Sequence, residues 1–299
     1  MSGLTLQELT GAQLTAMADG LMAANQYGLA RQLYARVTPS DPDVANVIYG
    51  KSGLAGTPRP YTGAMMKIYE VLDGKSRSIF VGDSLATWNK HLHFLEDARF
   101  REIAERHADL LPIPNWHWNL STVLWAVQET LGLPGDLVEL GVFKGHTTLF
   151  TAEYVDFAAT DKTWWLYDTF DGIPDDQVDP GWEEVNIGAY RGTFSFEEVR
   201  DRFAHIPNIR VIKGRVPEIL DADAPDRIAF LHIDLNNATA EIAALNRLYE
   251  RIVPGGIIIF DDFGWTNSSA QRVAETAWFA ERGRQVLTLP TGQGLLVKR

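Results

Sequence analysis

Residues 135–150 read GDLVELGVFKGHTTLF. DLVELG is a short, almost fully apolar run, the mark of a strand buried on both faces, and HTTLF begins a helical pattern. Between them stand Gly141 and Gly145, just after the acid Glu139. A strand, a glycine-bearing turn and a helix open a βαβ unit, and the same alternation continues along the chain. TWWLYD (163–168), NIRVIKG (208–214), RIAFLHID (227–234) and GGIIIFDD (255–262) are further strands apolar on both faces. HTTLFTAEYVDFAA, SFEEVRDRFAHI and ATAEIAALNRLYERI supply right-handed helical crossovers. RQVLTLP and QGLLVKR close the chain as two short strands in a hairpin around Thr291 and Gly292. The pattern predicts an α/β fold: an open, doubly wound, mostly parallel, seven-stranded Rossmann-like sheet.

Residues 1–118 have a different texture, which divides the chain into a mostly helical N-terminal region (1–118) and an α/β domain (119–299). Leu14, Met17, Leu21, Met22, Leu29 and Leu33 fall at helical spacing with a break at Asn25-Gln26, reminiscent of one tetratricopeptide hairpin. One copy does not make an array, because such repeats need several units to bury their faces. A packing or dimerisation segment is the expectation. Residues 40–63 are rich in turn formers and read as a connection. SRSIFVGDSLATWNKHLHFLEDARF joins a short strand to an aromatic-rich helix, and Asn119–Leu131 is a helix at the entrance of the α/β domain.

With 299 residues, 45% of them hydrophobic and 22% charged, the chain can bury a core without staples. The absence of cysteine excludes disulfides, thiolate metal sites and cysteine nucleophiles. A net charge of −12 disfavours nucleic acid as a partner, since that binding rests on Lys and Arg at phosphates. No run approaches the roughly 20 apolar residues of a membrane span. The N-terminus lacks the basic flank and apolar core of a signal peptide, so a cytoplasmic protein is expected.

Ligands of open α/β sheets bind outside the carboxyl ends of the strands, at the switch point. The residues at those ends are Glu139 and Gly141, Asp168, Gly214, Asp234, and the pair Asp261-Asp262. The first turn is not the G-x-G-x-x-G of phosphate-binding dinucleotide folds. An acid beside it would repel a pyrophosphate but suits the ammonium of an amino-acid tail, and Asp168 is placed for ribose hydroxyls. A ligand with a ribose, an amino-acid tail and no phosphate points to S-adenosylmethionine. Gly141 and Gly145 would clear the way for its methionine end.

VELGVFKGHTT, YDTFDGIP, FLHID and ERIVPGGIIIFDDFG, in that order, resemble the macrocin O-methyltransferase family, S-adenosylmethionine-dependent enzymes that methylate hydroxyls of small natural products. The resemblance covers about residues 119–299. It implies cofactor contacts from Glu139, Gly141, Val142, Lys144, Gly145, Thr147, Asp168, Gly214 and Asp234. It also implies Mg²⁺ held by Asp234, Asp261 and Asp262, a small-molecule acceptor, and allows a homo-oligomer. Mg²⁺ would lower the pKa of a substrate hydroxyl and hold it in line with the methyl group.

The chain departs from that family at Asn236, where a second acid commonly follows the strand-end acid. Asn236 can still ligate a metal through its carbonyl oxygen but cannot supply a second charge. Without a metal, Asp234 would act as a plain general base, and a carboxylic acid or acidic phenol becomes the expected acceptor. His232, two residues earlier and on the same face, is either a second catalytic base or a hydrogen-bonded histidine within the sheet layer. His146 has a helix-start role. Between the second and third strands, Trp182, Tyr190, Arg191 and Phe194 form either a lid, with Arg191 pairing a substrate carboxylate, or a surface excursion packed on itself. Two other classes remain open: a nicotinamide-dependent oxidoreductase, and a non-catalytic interaction protein with a degenerate methyltransferase domain.

Overall fold

The computed structural model describes residues 79–83, 85–88, 90–110, 116–183 and 186–299, together with Gln13, Leu14 and Met17. The expected hairpin near residues 14–33 and the connection at 40–63 lie outside the described residues. The chain divides into two compact units, one of residues 1–97 and 111–118, the other of residues 98–110 and 119–299.

In the first unit, β1 (Ile79–Gly82) and β2 (Leu85–Trp88) form an antiparallel pair. Buried Asp83, in the turn between them, accepts the Trp118 N–H at 2.8 Å. A short helix, α1 (His93–Glu96), follows and buries Phe94.

The second unit begins with α2 (Ala98–Arg106), which lies against α4 (His146–Val155). Between them Phe100 meets Phe150 edge-on, and Arg106 and His107 both bond the Glu153 carboxylate. The aromatic stretch expected to form one helix is thus divided, and its second half belongs to the α/β unit.

The sheet of this unit has seven strands in the order β5-β4-β3-β6-β7-β9-β8. They are β3 (Asp136–Leu140), β4 (Trp164–Asp168), β5 (Ile209–Lys213), β6 (Ile228–Ile233), β7 (Ile252–Phe260), β8 (Leu287–Thr288) and β9 (Gly294–Val297). The first five pair in parallel, and β9 pairs antiparallel with both β7 and β8. The expected doubly wound, mostly parallel sheet is what the chain adopts.

Alternation along the strands divides the core into two layers. Leu137, Leu166, Phe230 and Ile257 share one layer with Val123 of α3 (His117–Thr130), Leu149 of α4 and Val199 of α5 (Phe196–Arg202). Val138, Leu231 and Ile258 share the other with Leu220 of α6 (Glu218–Ala222), Leu245 of α7 (Ala238–Leu248) and Phe279 of α8 (Ser269–Ala280). Helices cover both faces, which is why these strands read as continuous apolar runs. The chain leaves β5 at one edge and returns to β6 beside β3, so the switch point lies at the carboxyl ends of β3, β4 and β6. Among the described residues no helix is long and apolar enough to cross a membrane.

Candidate active site

The sheet itself lines up the strand ends. Gly214 N–H donates to the Asp168 carbonyl at 2.9 Å and Gly141 N–H to Tyr167 at 2.9 Å; Asp234 N–H donates to Leu140 at 2.8 Å and Asp261 N–H to Ile233 at 2.9 Å. The residues singled out from the sequence therefore form one continuous rim.

The glycines answer first to the protein's own backbone. Gly141 has φ +83°, and a Cβ there would stand 1.8 Å from the Asp234 carbonyl oxygen. Gly145 caps α4 at φ +78°, where a Cβ would stand 2.7 Å from the Phe203 ring. Beside the expectation that they make room for a ligand stands a nearer cause: strand ends and a neighbouring helix pack that closely. Gly214 likewise meets the Ile219 side chain.

Asp168 holds the turn after β3. Its Oδ2 accepts the N–H groups of Val142 at 2.7 Å and Phe143 at 2.9 Å, and its Oδ1 accepts that of Phe170 at 2.7 Å. Burial raises its pKa against those three bonds. The turn is thereby fixed as a rigid cradle beside the α4 N-terminus, where Thr147 Oγ1 and His146 Nε2 are 3.0 Å apart. Burial lowers the His146 pKa to about 4, so the ring is neutral, and its Nδ1 has no partner among the described residues. Lys144 gives its carbonyl to Arg202 and lays its ammonium 5.4 Å from the Phe143 ring.

Glu139 and His232 face each other in register across β3 and β6. Both are about 2% exposed. His232 Nδ1 lies 3.0 Å from Glu139 Oε1, and Nε2 lies 3.5 Å from Asp261 Oδ1. The second oxygen of Glu139 accepts the Thr148 hydroxyl. Burial opposes the charge on His232, but the Asp261 and Glu139 carboxylates outweigh it and hold its pKa up at about 10. His232 thus stands buried between two carboxylates, a setting that favours the protonated ring and the hydrogen-bonded role within the sheet layer. Both oxygens of Glu139 are thus engaged by the protein itself.

Asp261 is further engaged by Asn119 Nδ2 at 2.9 Å and Gln293 Nε2 at 3.3 Å. Although burial works to raise its pKa, His232 and these two amides bring it below the usual range. Asp262, one residue on, points to the other layer. Burial, Asp261 and Glu241 raise its pKa, Gln271 opposes them, and its Oδ2 is without a partner among the described residues. Asp234 is half-buried at the switch point. Its Oδ1 accepts the Asn236 amide at 2.9 Å, while burial and the charges of Asp261 and Asp262 raise its pKa well above the ordinary carboxylate value.

The segment after β4 is tied to the body of the unit at several points. Trp182 Nε1 donates to the Asn267 carbonyl at 3.0 Å, and Asp179 Oδ2 accepts the Ala238 N–H at 2.9 Å. Phe194 stacks edge-on against Phe143 and Phe170, and Tyr190 against Phe143. Tyr190 reaches over the rim: burial and then Asp234, Asp262, Asp261 and Asp168 all raise its pKa. Arg191 is engaged by Asp175 within the same segment. Glu184 and Val185, also in this stretch, lie outside the described residues.

Sequence reasoning missed Asn119, Thr148 and Gln293. Asn119 and Thr148 lie among other polar residues in the first turns of their helices and Gln293 in a hairpin turn, so only the fold singles them out.

A family model of macrocin-O-methyltransferase (TylF) matches residues 118–283. The tetracenomycin-type enzyme of Streptomyces olivaceus, an 8-demethyl-8-(2,3-dimethoxy-alpha-L-rhamnosyl)-tetracenomycin-C 4'-O-methyltransferase, is 28% identical over 155 residues, which are 48% of this chain and 59% of that protein. The mycinamicin III 3''-O-methyltransferase of Micromonospora griseorubida is 28% identical over 183 residues, 57% of this chain and 71% of that one. Among solved structures, the O-methyltransferase NovP superposes with a TM-score of 0.55 at 24% identity, over 63% of this chain and 82% of its own, a likeness of fold. The chain thus spans 59% of the first relative's length, and the stretch matched by the family model includes Glu139 through Asp262. With more than half of its residues matched by the family model, the chain belongs to the macrocin-O-methyltransferase family.

Proposed function

We propose that the chain is an S-adenosylmethionine-dependent O-methyltransferase acting on a hydroxyl of a small natural-product metabolite. The observation that carries this reading is the rim: a turn clamped by Asp168, the α4 N-terminus beside it, and a half-buried acid, Asp234, at the switch point. The relatives support a hydroxyl acceptor, since one is named for a 4'-O-methylation and the other for a 3''-O-methylation.

S-adenosylmethionine, when bound, supplies a methyl group to the acceptor oxygen and leaves as S-adenosylhomocysteine. The protein's part is positioning, charge and the proton. Asp168 keeps the Val142–Phe143 turn in one conformation, and Thr147 and neutral His146 stand at the helix start beside it. Tyr190, Phe143 and Phe194 cover the rim and exclude water. Asp234 takes the acceptor's hydroxyl proton on Oδ2, while Asn236 holds Oδ1. Its raised pKa makes it a stronger base than an ordinary carboxylate.

The Mg²⁺ implied by the resemblance fits these residues poorly, because amide N–H groups already donate to Asp234 and Asp261. The proton step therefore runs through Asp234 alone. Calorimetric titration with S-adenosylhomocysteine tests the cofactor reading: micromolar binding is expected, and binding of NAD in its place would reverse it.

A further inference from the structure

A hard cation takes oxygen ligands and is repelled by N–H donors. The three strand-end carboxylates do not offer a common oxygen face. Asp261 and Asp262 are consecutive, so their side chains fall on opposite sides of the sheet. Asp261 turns to the α3–α4 layer, where Asn119 Nδ2 at 2.9 Å, Gln293 Nε2 at 3.3 Å and His232 Nε2 at 3.5 Å surround one oxygen, Oδ1. Asp262 turns to the α7–α8 layer, towards Gln271 and Glu241. Among the described residues no three acids or histidines are gathered closely enough to hold an ion.

Asp234 stands half-buried at the switch point, and its Oδ1 accepts Asn236 Nδ2 at 2.9 Å. Asn236 is held for this contact in the left-handed region, at φ +57°, a conformation that Asn and Asp tolerate better than other side chains. The amide sits on Oδ1, presents a partial positive charge there and leaves Asp234 only Oδ2 to offer a cation.

We propose that the rim works without a divalent cation, and that Asn236 is the residue that keeps one out by occupying Asp234 with its amide. The inference rests on the methyltransferase reading for its meaning, since it states how that site manages charge. In this arrangement Asn236 holds Asp234 in place for the proton, and Asn119, Gln293 and His232 balance Asp261. Replacing the amide by a carboxylate removes the donor and adds a second oxygen ligand two residues from the first. Two carboxylates with water are a sufficient set for Mg²⁺ or Mn²⁺.

The experiment titrates Mn²⁺ into the EDTA-stripped full chain loaded with S-adenosylhomocysteine and follows free Mn²⁺ by electron paramagnetic resonance. The wild-type chain is expected to leave Mn²⁺ free. Asn236→Asp is expected to bind it about tenfold to a hundredfold more tightly, the scale on which groups that orient metal ligands act. Asn236→Gly suits the positive φ and only removes the donor; it is expected to gain in the same direction by less, and it serves where the aspartate variant does not fold. One equivalent of Mn²⁺ bound by wild type and lost in Asp234→Asn would overturn the proposal. Unchanged Mn²⁺ affinity in both Asn236 variants would overturn the role of Asn236. S-adenosylhomocysteine binding is read separately by calorimetry: its failure would sink the cofactor reading and leave the cation result standing.

Discussion

Glu241 on α7 and Glu275 on α8 meet in the core, 2% and 1% exposed. Neither oxygen of Glu275 has a donor among the described residues, while Gln271 Nε2 donates to Glu241 Oε1 at 2.9 Å. Two facing carboxylates cannot hydrogen-bond each other unless one carries a proton. Burial, then the charge of Asp262, lifts the Glu275 pKa from 4.5 to about 8, the contact with Glu241 opposing them. A carboxyl raised in the folded state contributes stability that is fully present below its unfolded pKa and is lost as pH rises through the folded value. The window is pH 4.5 to about 8. Inside it each pH unit costs about 1.36 kcal/mol, so raising the pH from about 5.5 to about 7.5 costs about 2.7 kcal/mol. Glu275→Gln replaces the titrating proton with an amide N–H that donates to Glu241 at every pH. At about 2 °C per kcal/mol for a chain of this size, its melting temperature should fall about 5 °C less than that of wild type over that interval. Differential scanning calorimetry at the two pH values measures it. Equal falls in the two proteins would mean that the pair holds no proton, and the account of this core contact would be wrong.

Four further outcomes follow from the rim. Asp168→Ala releases three backbone donors and should weaken S-adenosylhomocysteine by about 1–3 kcal/mol in calorimetry; an unchanged affinity would separate the turn from the cofactor. Asp234→Asn should lower the methylation rate of any accepted hydroxyl by about 10²–10⁴ while leaving S-adenosylhomocysteine binding intact, and wild-type activity should fall as pH drops through the raised pKa of Asp234. Gly141→Ala adds a Cβ to a position at φ +83° that faces the Asp234 carbonyl, and a loss above about 3 kcal/mol in urea unfolding is expected; a mild loss would mean that β3 and β6 part easily. His232→Gln leaves Glu139 and Asp261 without their shared cation and should cost about 3–5 kcal/mol at neutral pH. Because the His232 pKa is raised from 6.5 to about 10, that contribution is complete below pH 6.5 and fades as pH approaches 10, so the gap between variant and wild type should narrow in alkali.

The fold was legible in the sequence because its signals are local. Each parallel strand is a run apolar on both faces, and the alternation of runs with helical stretches fixes a doubly wound sheet with its ligand edge at the strand ends. Those ends then name most of the rim without further help, since Gly141, Asp168, Gly214, Asp234 and Asp261 each occupy the position at or just beyond the last apolar residue. What each acid does there was not legible, because that depends on partners distant in the chain. The strand end offers Asp261 as a metal ligand; the fold adds Asn119 from a helix 142 residues away and Gln293 from the closing hairpin. The sequence suits Glu139 to an ammonium, and the register of β3 with β6 adds His232 as a partner.

A strand end specifies where a carboxylate is, and the opposing layer specifies its charge. Asp261 and Asp262 make the point within two consecutive residues: one is brought below the usual carboxylate range by donors, the other is raised by burial and neighbouring acids. A motif that counts them together as one ligand pair omits the alternation that separates them. Asn236 then has a physical meaning beyond that of a missing acid. In a rim already crowded with negative charge, an amide beside Asp234 supplies the donor that a further carboxylate could not.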